Sequence, residues 1–132
     1  MSRENVELVR AAYESWNRGD LDATLRQASP QVEFVQDSRI PGAVSLVGRS
    51  AVRDWLDSFQ ETWEWFRIAP ERIDAVGDRV LVVARISAKG KLSEAEVEQR
   101  VGHVLTIHDA QIDRWNSYAD SADALEAVGL GE

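Results

Sequence analysis

The chain has 132 residues, enough for one hydrophobic core and too few for two. Hydrophobic residues at 44% and charged residues at 29% exclude a disordered chain, and the absence of cysteine excludes disulfides, thiolate chemistry and Cys-ligated zinc. A net charge of −8, with 15 scattered basic residues, argues against nucleic acid and anionic membranes as partners. No apolar run approaches the roughly 20 residues of a membrane span, and MSRENVELVR lacks the apolar stretch of a signal peptide, so a cytoplasmic location is expected.

Val6, Val9, Tyr13 and Trp16 recur at spacings of three and four and predict one amphipathic helix, stopped at Asn17-Arg18-Gly19-Asp20 with Gly19 in the left-handed region. Asp20 then caps a short second helix, Leu21 to Ala28, which ends at Ser29-Pro30. Val32 and Phe34 mark a short strand, Asp37 to Val47 a loop around Pro41 and Gly42, and Gly48 to Trp63 a third helix.

From there the period falls from 3.6 to 2. Strands are expected over Phe66–Ala75, Val80–Ala88, Val97–Ile107 and Ile112–Ala119, joined by turns at Gly77-Asp78, around Gly90 and at His108-Asp109-Ala110. A short helix, Ser121 to Val128, follows. Three helices and then a meander of long strands predict a single α+β domain over residues 1–132. A long antiparallel sheet with helices on one face coils into a half-open cone, and the space inside is a natural apolar pocket for a small organic molecule.

The runs ENVELVRAAYESWNRGDLDATLRQASPQVEF, LVGRSAVRDWL, VGDRVLVVARISAKGK and GHVLTIHDAQIDRW, with ADSADALEAVGL closing the chain, resemble in this order the SnoaL-like branch of the nuclear transport factor 2-like superfamily. The resemblance implies a cone-shaped α+β fold, usually a homodimer packed through the sheet, and no cofactor. It also implies one of several activities (cyclase, isomerase, epoxide hydrolase, dehydratase) or none, because a fold does not fix a function. The isomerases use a Tyr on the first helix, an Asp base after the first strand and a protonated Asp on the long strand. Aligned on NRGDLD, these positions fall on Ala12, with Tyr13 one residue away, on Gln36, with Asp37 beside it, and on His103. A faithful isomerase is not expected. The two Asp and the Arg of the epoxide hydrolases have no clear counterparts either.

His103 is the foremost catalytic candidate. It sits among Val97, Gln99, Val101, Leu105 and Ile107 on the apolar side of its strand, where a neutral imidazole can act as base or donor, with a pH dependence between about 5 and 8. The competing reading is a half-buried structural histidine. Asp37 is the companion base, or else a solvated turn residue. Tyr13, Trp16, Trp55, Phe59, Gln99, Val101 and Trp115 are the expected ligand-binding residues, with Trp55 matching an aromatic pocket position of the isomerases. Trp63 and Trp65 are expected at a dimer interface, Arg85 either grips a ligand or pairs with an acid on the dimer face, and no metal site is expected from two histidines. Two readings stay open: a cofactor-free cyclase, isomerase or hydrolase acting on a small apolar ring compound, or a non-catalytic metabolite-binding or dimeric scaffold module.

Overall fold

The computed structural model describes residues 2–93 and 95–130. The first helix, α1 (Ser2–Asn17), buries Val9, Ala12 and Tyr13 on the face its spacing defines. Gly19 adopts φ +75°, the left-handed conformation that ends it. Asp20 accepts a hydrogen bond from the Ala23 N–H and caps α2 (Leu21–Arg26). Strand β1 (Ala28–Gln36) follows at once, so Ala28 belongs to the sheet and not to the helix. The Arg49 side chain holds the Ala28 carbonyl there from two nitrogens.

The loop after β1 contains a three-residue strand, β2 (Ser45–Val47), paired antiparallel with Glu33–Val35. Helix α3 (Arg49–Thr62) buries Val52 and Leu56. Strand β3 (Trp63–Val76) begins three residues earlier than the sequence suggests, because Trp63 is already extended. Then come β4 (Arg79–Gly90), β5 (Glu96–His108), β6 (Gln111–Tyr118) and α4 (Ser121–Ala127).

The six strands form one curved, open sheet in the order β2-β1-β6-β5-β4-β3. It is mixed, not purely antiparallel as expected: β6, the last strand, returns beside β1 and runs parallel to it. Bulges in β3 and between β5 and β6 help to bend the sheet around the helices. The free edge of β3 is guarded by Asn17, whose carboxamide donates to the Ile68 carbonyl and accepts from the Ile68 N–H, both at 2.8 Å. One side chain thus stands in for a neighbouring strand and blunts an edge that would otherwise invite pairing.

The main core fills the inside of the curve, with Val9, Tyr13, Phe34, Leu56, Ile68 and Leu105 among its buried members. A smaller cluster lies on the outer face, where α4 brings Ala124 and Val128 onto Leu81 and Val104. Val104 is therefore covered by the chain itself and is not available as the apolar dimer surface expected from the sequence. Above α4 the outer face is charged: Glu71 receives both Arg85 (3.1 Å) and Arg100 (2.9 Å), and Arg85 also reaches Glu98 (3.1 Å). Arg85 thus pairs with acids across the outer face and does not point into the cone.

Candidate functional site

The period-2 alternation of β5 decides what the cone contains. Val97, Gln99, Val101 and His103 face inward and line a cavity of about 190 Å³; Leu105 and Ile107, continuing the same face, enter the core. Six aromatic rings complete most of the wall: Trp16 from α1, Phe34 from β1, Trp55 and Phe59 from α3, and Trp63 and Phe66 from β3. They are joined ring to ring, with Trp55 5.0 Å from both Phe34 and Phe59 and Phe59 4.7 Å from Phe66. Gln36, Ile40, Ser117 and a seventh ring, Tyr118, also contribute. Among the described residues no Asp, Glu, Lys or Arg lines the space.

His103 is 4% exposed and clamped from behind. The Tyr13 hydroxyl lies 2.5 Å from its Nδ1, the two rings stack at 5.9 Å, and Trp115 crosses the imidazole at 5.5 Å. Burial raises the pKa of the Tyr13 hydroxyl well above the usual tyrosine value, so the phenol keeps its proton. Nδ1 is the one hydrogen-bond partner the buried Tyr13 hydroxyl has among the described residues, so the phenol donates to it and the hydrogen of the neutral ring sits on Nε2. Burial also pushes the imidazole pKa down to about 3. His103 is thus neutral at physiological pH, a fixed-tautomer hydrogen-bond donor and a very weak base. The titration expected between pH 5 and 8 moves below that range.

The sequence-derived residues divide accordingly. Trp16, Trp55, Phe59, Gln99, Val101 and His103 line one cavity. Tyr13 and Trp115 stand behind His103 as its supports, and the buried indole N–H of Trp115 has no acceptor among the described residues. Asp37 lies outside. Period 2 turns Gln36 inward and Asp37 outward, where Asp37 receives Arg39 at 3.0 Å and the Ala119 N–H at 3.4 Å. Those hydrogen bonds, from Arg39 first, hold its carboxyl below the usual range, so it is an ionised surface anchor and not a base facing the cavity. Trp63 lines the cavity, while Trp65 faces an outer groove. Phe34, Phe66, Ile40, Ser117 and Tyr118 are wall residues that the sequence did not single out. Phe66 and Ser117 were legible in principle from strand alternation; Ile40, in an irregular loop, was not.

A model of the SnoaL-like domain matches residues 9–115. The chain belongs to the SnoaL-like family. Among solved structures, this SnoaL-like chain is similar to a nuclear transport factor 2-like protein of unknown function from Burkholderia pseudomallei, with 19% identity, 98% of this chain and 99% of the other covered, and a TM-score of 0.82. It is also similar to a candidate SnoaL-like polyketide cyclase from a Jannaschia species (19% identity, 96% and 92% covered, TM-score 0.79). A third is an LEH-like epoxide hydrolase of Mycobacterium tuberculosis (19% identity, 98% and 92% covered, TM-score 0.77). At such identities the likeness shows the fold. A search of curated proteins finds no match. No helix among the described residues is long and apolar enough to cross a membrane.

Proposed function

We propose that this SnoaL-like chain binds a small, uncharged ring compound inside its cone, with His103 donating a hydrogen bond from Nε2 to an oxygen of the ligand. The observation that carries this reading is the lining: seven aromatic rings and a neutral imidazole, with no ionised side chain among the described residues. Rings offer flat contact area, and a desolvated neutral donor orients one polar atom. A buried carboxylate or ammonium on the ligand would find no counter-charge. The size fits one or two fused rings, since a cavity of about 150 Å³ already accommodates benzene. No cofactor enters this reading, which is of a metabolite-binding protein acting in the cytoplasm.

Proton abstraction by a carboxylate, the chemistry expected of an isomerase-like site, finds no base among the described residues of the cavity wall. A catalytic reading keeps one support, the Tyr13–His103 pair: a preorganised donor in a dry cavity stabilises negative charge developing on a carbonyl oxygen. Turnover then requires the substrate to supply its own base or leaving group.

Trp55→Ala tests the location. Trp55 is half-buried and opens onto the cavity, so truncation should lower ligand affinity at least about tenfold while costing less than the roughly 3–5 kcal/mol of a fully buried ring. Titration calorimetry and thermal melting on the same variant read both quantities. Severe destabilisation with unchanged affinity would place the ligand elsewhere.

A homodimer through the outer sheet face would be held by Glu71, Arg85, Glu98 and Arg100 rather than by Val104. Such an assembly weakens as salt screens its charges. Light scattering at low and high salt should therefore show mass falling toward the monomer, and a mass independent of salt would exclude this face.

A further inference from the structure

We propose that the loop between β1 and β2 is a lid over the cavity and that Arg39 latches it shut. Ile40 is the one residue of this loop that lines the cavity. The ends of the loop are fixed: the Gln36 N–H donates to the Val44 carbonyl at 2.9 Å, the Val44 N–H donates to Gln36 Oε1 at 3.2 Å, and the Asp37 N–H donates to the Ser117 carbonyl at 2.8 Å. Between those ends the backbone bonds stay within the loop and its first hinge, with the Arg39 N–H donating to Asp37 Oδ1 at 3.1 Å. The Ile40 N–H donates to Asp37 and the Ala43 N–H to Ile40, and among the described residues no backbone bond ties 38–43 to the rest of the protein. At the tip, a Cβ added to Gly42 would meet nothing within 4 Å.

One polar tether crosses from this segment to the body. Arg39 donates to Asp37 at the hinge and to Asp123 in the first turn of α4. Its side chain is 59% exposed and that of Asp123 39%. An ion pair this open to solvent is weak and screened by salt. The arrangement is a short flap with firm hinges, an apolar residue on its inner side and a latch that breaks easily, which are the parts a ligand gate requires.

The absence of cysteine makes the test direct. Ile40→Cys provides a single thiol on the inner side of the lid, and Val101→Cys, in a separate variant, one on the sheet wall of the cavity. Each is labelled with neutral iodoacetamide, with and without Arg39→Ala. Removing the latch should speed labelling of both thiols by about 1.5- to fivefold, the range an exposed pair of this kind supports. Sodium chloride at about 1 M, where the Debye length is about 3 Å, should speed the Arg39 form and leave the Arg39→Ala form unchanged. Rates at Ile40→Cys that ignore both salt and Arg39→Ala would overturn the latch. Faster labelling at Ile40→Cys without any change at Val101→Cys would show a moving loop that is not the door of the cavity. Ala88→Cys, on the same wall, replaces Val101→Cys if that variant does not fold.

Discussion

The wild-type chain should lose stability steadily as pH falls from about 6.5 toward 4.5, and replacing His103 should remove most of that loss. Burial holds the folded imidazole at a pKa of about 3, whereas an unfolded histidine titrates near 6.5. Between those values the unfolded chain takes up a proton that the folded chain refuses. Stability therefore rises with pH across this window and is flat, for this residue, above it. The slope approaches about 1.4 kcal/mol per pH unit. Asp37 and Glu71 have carboxyl pKa values lowered by Arg39 and by Arg100 and Arg85, so their contributions are lost only below the unfolded carboxyl range of about 4. The interval from pH 4.5 to 6.5 isolates the histidine. His103→Phe alone leaves the Tyr13 hydroxyl buried without its acceptor, which costs about 1–3 kcal/mol at every pH. The Tyr13→Phe/His103→Phe double variant removes both partners and should approach wild-type stability at pH 7 with the acid slope gone. Urea unfolding at half-unit pH steps measures it. An equal slope in the double variant would mean that His103 is protonated in the folded chain.

Gly102→Val should detach α4 and cost about 3 kcal/mol. Gly102 faces outward on β5, opposite the inward His103, and α4 lies directly on it. A Cβ there would sit 2.5 Å from the Cβ of Ala124 and 3.0 Å from the Cα of Ser121. Helix backbone cannot yield that distance locally, so the helix must lift and expose Leu81, Val104 and Val128. The same movement carries Asp123 away from Arg39. Denaturant melting should show the loss, and limited proteolysis should release the segment after Tyr118 first. Wild-type stability in Gly102→Val would mean that α4 is seated elsewhere.

The parts of this fold governed by periodicity were legible before the structure. Val97 to Ile107 alternates so regularly that the inward position of His103 followed from the strand register alone. The helical face of Val9, Tyr13 and Trp16 was equally plain. What depended on distant pairing was not. The parallel contact between β1 and β6 joins the two ends of the chain, and β2 is three residues long, too short for any period to show. The bond between Tyr13 and His103 spans 90 residues, so neither the tautomer nor the depth of the imidazole could be read from either neighbourhood. Asp37 was misplaced by a single residue. In a strand one residue is the difference between cavity and solvent, and Gln36 took the inward side.

The most direct test of the binding reading is a calorimetric titration at pH 7 that compares 2-naphthol, which is neutral, with 2-naphthoate, which has a similar ring and a negative charge. One neutral molecule should bind per chain, with affinity weakened about tenfold in the Tyr13→Phe/His103→Phe variant, the size of one net hydrogen bond. The carboxylate should not saturate, because the cavity lining offers it no counter-charge among the described residues. Equal or tighter binding of 2-naphthoate, or no binding of the neutral ring at all, would contradict the account.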